Sequence, residues 1–129
     1  MDIKTYFSDA RGMGVLSTVS GESVVNSAIY ARPHVLDDGQ VAFIMADRLS
    51  RKNLAENPSA AYLFVEDGEG YRGIRLQLTR IGEERDPERI KSLRRRAYRP
   101  EDEAKIGALA LVRFRVDQQL PLLGAGPSA

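Results

Sequence analysis

A hydroxyl and two cations stand side by side in Ser50, Arg51 and Lys52, directly behind an apolar run of strand length at residues 40–46. A short helical pattern follows and stops before Pro58, which predicts a helix with Ser50 as its N-cap. Backbone N–H groups at a helix N-terminus attract anions, and cations in the first turn oppose the helix dipole unless an anion lies among them. The stretch predicts a phosphate-binding site, although a solvated basic turn fits the local pattern equally well.

The composition limits the chemistry that this chain can perform. Its 129 residues fit a single domain, with a core at about 3–117 and a tail at 118–129. The absence of cysteine and the single histidine, His34, exclude disulfides and clustered metal ligands, so redox chemistry must come from a cofactor. A net charge of +1 with 29% charged residues argues against nucleic acid and membranes as partners. A cytoplasmic location is expected, because the sequence has no leader-like or membrane-spanning apolar run.

Hydrophobic periodicity predicts a mainly β fold with six strands and three short helices. We predict that the helices begin after Asp2, Ser50 and Asp86, and that the strands occupy about 13–19, 24–32, 40–46, 60–66, 72–81 and 108–116. Turn signals between the early strands predict hairpins. Together these elements indicate an antiparallel β-barrel that carries helices on its surface.

Two further groups of polar residues have competing interpretations. Arg94–Arg96 with Arg99 could contact nucleic acid, but residues 83–105 contain seven acidic and eight basic residues, which favours a solvated helix or a salt-bridged dimer contact. Arg75 and Gln77 share one face of the fifth predicted strand. They indicate either an ordinary polar surface or a wall facing a ligand across a subunit boundary.

The order of these elements resembles that of the pyridoxamine 5'-phosphate oxidase-like family, the split β-barrels that bind flavin mononucleotide (FMN). The resemblance covers about residues 3–117, and three segments carry it: Val25–Ala31, Phe43–Ala46 with Ser50–Leu54 behind it, and Asn57-Pro58. It implies a six-stranded antiparallel split β-barrel of Greek-key type with three short helices.

The same resemblance implies FMN as the cofactor and a homodimer with flavin at the subunit interface. In that family the start of the short helix holds the phosphate, a role that falls here on Ser50, Arg51 and Lys52, with Asn53 as a helper. The neighbouring strands line the isoalloxazine ring. The resemblance therefore implies that Asn26, Ser27 and Ala28 of the second strand contact the ring, together with Met45 and Ala46 of the third.

The resemblance has two departures. Pyridoxamine phosphate oxidases proper carry a C-terminal segment with tryptophan and arginine, whereas this sequence has no tryptophan, so pyridoxal phosphate synthesis is not expected. Gly73 follows Arg72 where the family has glutamine beside the arginine.

The resemblance implies a flavin-dependent oxidoreductase in which the cofactor performs the electron transfer, and no side chain stands out as catalytic. One alternative is a non-enzymatic FMN-binding electron carrier or flavin store. A deazaflavin-binding or haem-binding split barrel is another.

Overall fold

The computed structural model describes residues 2–93 and 108–124, which contain seven strands and three helices. The strands are β1 (Gly12–Val19), β2 (Val25–Ile29), β3 (His34–Val35), β4 (Val41–Met45), β5 (Ser59–Glu66), β6 (Gly73–Glu84) and β7 (Ala110–Pro121). The helices are α1 (Ile3–Asp9), α2 (Leu49–Glu56) and α3 (Pro87–Leu93). All strands pair antiparallel in one sheet of order β2-β1-β5-β6-β7-β4-β3.

The predicted mainly β, antiparallel fold with three helices is confirmed, but the count of six strands is wrong. The additional strand is β3, in which Val35 pairs with Val41 of β4. Pro33 separates β2 from β3 because proline has no N–H to donate to a strand ladder. The two strands then occupy opposite edges of the sheet, and no ladder joins them within the described residues, so the sheet is not closed.

Strand β7 continues beyond the predicted core boundary at residue 117. Gln118 pairs with Gln77 and Pro121 with Ile74, so the first residues of the expected tail belong to the sheet. A register shift places Asp117 out of step between Val116 and Gln118, which breaks the alternation that a sequence pattern would show. Residues 125–129 and the arginines at 94–99 lie outside the described part of the chain.

The main hydrophobic core lies on one face of the sheet, and a smaller cluster of Ala42, Leu111 and Ile90 of α3 lies on the other face of β4 and β7. Aromatic rings dominate the main core, with Tyr62 and Phe64 of β5 packed against Phe7 of α1. Leu54 of α2 closes another part of the same cluster. Each such side chain contributes roughly 1.5–3 kcal/mol of burial free energy, so both helices are held to the sheet mainly by these contacts. None of the three helices in the described part of the chain has the length and apolar character needed to span a bilayer.

The opposite face of β2, β1 and β5 carries exposed apolar side chains. Val25 and Ile29 of β2 are 69% and 66% exposed, Met13 of β1 is 60% exposed and Leu63 of β5 is 37% exposed. We call these four residues the outer apolar face. Arg75 of β6 lies beyond this face. Its guanidinium donates to the carbonyls of Pro121 and Gly124 and holds the end of β7, as expected of an ordinary polar surface residue.

Candidate functional site

Helix α2 begins at Leu49, so its N-cap is Arg48. The predicted cap at Ser50 is therefore wrong. Ser50 lies within the first turn, is only 3% exposed, and forms a side-chain hydrogen bond with the phenol of Tyr30. Serine favours the N-cap when its oxygen can accept from the helix backbone, and here the hydroxyl has a partner from another part of the chain. The Arg48 side chain makes no capping hydrogen bond.

Lys52 lies on the exposed side of the first turn of α2. Its backbone N–H donates to the Arg48 carbonyl at 3.0 Å, which is the helical bond expected at this position. Its ammonium group makes no ion pair or hydrogen bond with any residue in the ranges 2–93 and 108–124. An exposed lysine in the same turn as the unpaired N–H groups of a helix start can bind an anion.

Arg51 has the opposite surroundings. Its Nε donates to Glu83 Oε2 at 3.2 Å and its Nη1 donates to the Ala108 carbonyl at 3.3 Å. The side chain is only 11% exposed. Glu83 also lies 3.7 Å from the guanidinium groups of Arg80 and Arg85. Arg51 therefore connects α2 to β6 and to the segment that leads into β7, and its guanidinium already has two protein partners.

Asn53 is also engaged by the protein. It is 3% exposed, and its Nδ2 donates to Thr18 Oγ1 of β1 at 3.1 Å. Thr18 itself is 1% exposed. Because a buried amide without a partner would be costly, this bond fixes α2 against β1.

The three candidates on β2 divide between the two faces of the sheet, since successive side chains in a strand point to opposite sides. Asn26 pairs with Thr18, and Ala28 is half-buried on the same face. α2 packs against β1 and β2 on this face through the bond from Asn53 to Thr18. Ser27 lies on the other, exposed face, where its Oγ is 2.9 Å from Ser17 Oγ. The structure thus brings Asn26 and Ala28 together with α2, and it places the Ser27 side chain elsewhere.

The two candidates at the end of β4 differ in a similar way. Met45 is fully buried in the core, so in this conformation neither its side chain nor its backbone is open to a ligand. Ala46 follows the last residue of β4, is half-buried, and accepts a hydrogen bond from Arg48 N at 2.9 Å. Ala46 therefore lies next to the start of α2.

Tyr30 connects these elements, although the sequence did not single it out. Its ring packs edge-on against Phe43 of β4 at a centroid distance of 5.8 Å, and its hydroxyl is bonded to Ser50. Its carbonyl accepts from the Tyr62 hydroxyl at 3.1 Å. Burial raises the pKa of the Tyr30 phenol, against the smaller lowering effects of the Ser50 bond and the Arg48 charge. The signal that could have found it is the period of β2, which places Asn26, Ala28 and Tyr30 on one face.

The residues beside the start of α2 are accessible to different degrees: Lys52 is exposed, and Asn26, Ala28 and Ala46 are half-buried. Two open clefts, of about 430 and 300 Å³, lie elsewhere in the described part of the protein, and neither is lined by a residue of α2 or by a predicted site residue. The same residues contain no cluster of three or more histidine, cysteine, aspartate or glutamate side chains that could hold a metal ion. The chemistry of the site is thus that of amide N–H groups, the exposed cations Arg48 and Lys52, and a phenol.

No protein-family model and no curated protein matches the sequence. The fold, however, is similar to that of solved structures. An FMN-binding protein from Syntrophomonas wolfei subsp. wolfei is 15% identical with a TM-score of 0.72, covering 96% of this chain and 86% of that chain. A candidate pyridoxamine 5'-phosphate oxidase from Lactobacillus delbrueckii is 10% identical with a TM-score of 0.68, covering 93% and 92%. An F420 reductase is 17% identical with a TM-score of 0.64, covering 88% and 93%.

These likenesses define the class of fold alone, which this chain shares with an FMN-binding protein and with an F420 reductase. Within that class, the predicted resemblance to the pyridoxamine 5'-phosphate oxidase-like proteins is confirmed at the level of the fold. Because the sequence identities are below 20%, the likeness shows a shared architecture. It does not assign a role to any single residue of the site.

Proposed function

We propose that this chain is an FMN-binding flavoprotein and acts as a flavin-dependent oxidoreductase. The observation that carries the proposal is the exposed ammonium group of Lys52 on the first turn of α2, which has no partner among the described residues. The helix lies against β2 and follows directly on the end of β4. Helix N–H groups and a lysine suit a phosphate. The likeness in fold to an FMN-binding protein supports a flavin in particular.

In this proposal the phosphate of FMN lies at the start of α2, and its ring lies beside Asn26, Ala28 and Ala46. Met45 is fully buried, so it would support Ala46 from within the core and would not contact the ring in this conformation. Ser50 and Asn53 would act by holding α2 in place, since each already has a partner in the protein. When bound, FMN supplies hydride or electron transfer; the protein binds and orients it.

We further propose a homodimer that pairs through the outer apolar face, with flavin at the subunit boundary. Large exposed apolar side chains on one face are typical of interaction sites, and Val25, Ile29 and Met13 are each at least 60% exposed. β2 carries both this face and the proposed ring contacts on its other side. Because β2 is an edge strand, a second copy that covers the outer apolar face and extends around this edge would reach the ring. The expected cytoplasmic location stays a prediction.

The first experiment is to purify the protein, record its visible spectrum and identify any ligand released on denaturation. The proposal expects a yellow protein that releases FMN, or an apoprotein that binds added FMN stoichiometrically. A haem or deazaflavin spectrum, or no binding of FMN at all, would refute it. The likeness to an F420 reductase makes deazaflavin the second candidate, so titration with F420 belongs beside the titration with FMN.

A second experiment separates an oxidoreductase from an electron carrier. The FMN-loaded protein is mixed with reduced nicotinamide and an added electron acceptor, and oxidation of the nicotinamide is followed over time. Steady turnover supports the oxidoreductase. Flavin that can be reduced chemically but does not turn over supports the non-enzymatic carrier or flavin store.

A further inference from the structure

The neighbouring cations Arg51 and Lys52 at the start of α2 occupy different environments, although the sequence alone predicts the same phosphate-binding role for both. Lys52 is exposed and has no partner among the described residues. Arg51 is 11% exposed and donates both to the Glu83 carboxylate and to the Ala108 carbonyl. A ligand phosphate could engage the Nε edge of Arg51 only after Glu83 had moved away.

Displacing Glu83 is unfavourable for a structural reason. The Glu83 side chain is 25% exposed and stands among the guanidinium groups of Arg51, Arg80 and Arg85. Separating a partly buried ion pair leaves each charge without the partner that offset its desolvation. Glu83 is therefore better suited to hold Arg51 in place than to release it to a ligand.

We propose that Arg51 is a positioning residue, which Glu83 holds in order to fix the first turn of α2, and that Lys52 is the cation that meets the phosphate. This inference rests on the proposed function. Arg51 ties α2 to β6 and to Ala108, which precedes β7, and Asn53 ties the same helix to β1 through Thr18. Anchors on two sides define the position of the helix start, and Lys52 takes part in neither.

The test compares the dissociation constants of FMN and riboflavin, because riboflavin lacks the phosphate. The proteins are wild type, Lys52→Ala, Arg51→Ala, Glu83→Gln and the double variant Arg51→Ala/Glu83→Gln, with flavin fluorescence as the readout. Lys52→Ala should weaken FMN by about tenfold or more, as expected for a lost charge-assisted hydrogen bond, and leave riboflavin unchanged.

Arg51→Ala and Glu83→Gln should weaken FMN and riboflavin by the same factor, because both act through the position of α2. The double variant should be no weaker than either single one, since the two residues form one unit. Arg51→Lys, which keeps a cation opposite Glu83, should restore part of the affinity for both ligands. Thermal unfolding of each variant establishes that it is folded at the temperature of the titration, and Glu83→Gln, which preserves shape, carries the test if Arg51→Ala is not.

Three results would overturn the positioning role. The first is a Glu83→Gln variant that binds FMN more tightly with riboflavin unchanged, because Glu83 would then compete with the phosphate for Arg51. The second is an Arg51→Ala variant that loses only the preference for FMN over riboflavin. The third is unchanged affinity for both ligands in the Arg51 and Glu83 variants. A wild-type protein that binds neither flavin would overturn the proposed function itself, and the positioning role with it.

Discussion

Asn53→Ala is expected to lower stability and to leave recognition of the phosphate intact. The substitution removes the bond from Asn53 Nδ2 to Thr18 Oγ1, which joins side chains that are 3% and 1% exposed. A lost neutral hydrogen bond costs roughly 0.5–1.5 kcal/mol, and leaving a buried polar group unpaired costs about 1–3 kcal/mol. The higher helix propensity of alanine offsets roughly 0.5 kcal/mol of this. The net destabilisation should be about 2 kcal/mol, which corresponds to a fall of about 6–10 °C in Tm for a domain of this size.

The matched control is Thr18→Val, which removes the other partner of the same bond with little change in volume. It should destabilise the fold by a similar amount, because it leaves the Asn53 amide buried and unpaired. Asn53→Leu combined with Thr18→Val removes both polar groups and should recover much of the loss, since an apolar pair of similar shape has no unsatisfied donor. Coupling between the two sites in a double-mutant cycle would show that they act on each other.

The assay is thermal and urea unfolding of each variant, followed by titration with FMN and riboflavin below the unfolding temperature. We expect Asn53→Ala to lower the Tm and to leave the ratio of the FMN and riboflavin dissociation constants unchanged. It would be refuted by an Asn53→Ala protein that keeps its Tm within about 1 °C, well below the shift expected from the lost bond, and loses its preference for FMN. That result would assign Asn53 a direct contact with the phosphate.

Three other predictions follow from the structure. Gly14→Ala should destabilise the fold by more than about 2 kcal/mol, measured by urea unfolding, because a Cβ at this position would lie 1.9 Å from the Tyr62 hydroxyl oxygen. Ile29→Glu should convert the proposed dimer into monomers in light scattering and weaken FMN, whereas Asp38→Lys at the opposite edge of the sheet should change neither. Hydrogen bonds from Thr79 and Arg115 lower the pKa of Asp117 in the folded protein. The ionised carboxylate therefore stabilises the fold above the unfolded-state pKa, and this stabilisation is lost as the pH falls through the folded-state pKa. Asp117→Asn should weaken the dependence of the urea midpoint on pH below about 4.

The strands were predictable where apolar and polar residues alternate clearly in the sequence. Ile74, Leu76 and Leu78 of β6 are all at most 2% exposed, as their spacing indicated. Strand β3 has only two residues, which is too short for a period to appear. The continuation of β7 was missed because its register shift interrupts the alternation.

The candidate site was predictable in its residue types and less so in their roles. The tendency of serine to cap helices placed the start of α2 at Ser50, and a tertiary partner, Tyr30, overrode that tendency. Glu83 pairs with Arg51 from a strand 32 positions away in sequence. No local pattern contains that information, because the pairing depends on how β6 crosses the start of the helix.

Helical geometry explains how α2 can be anchored to the protein and open to a ligand at once. Ser50, Asn53 and Leu54 follow the spacing of one helix face, and each is at most 3% exposed. Lys52 lies about 200° around the helix from Ser50, given 3.6 residues per turn, and is exposed. Arg51 lies about 100° from each of them around the helix axis, and its side chain is 11% exposed. A run of neighbouring polar residues at a helix start thus divides into those that fix the helix and those that can bind a ligand, and the angle around the helix axis decides which residue does which.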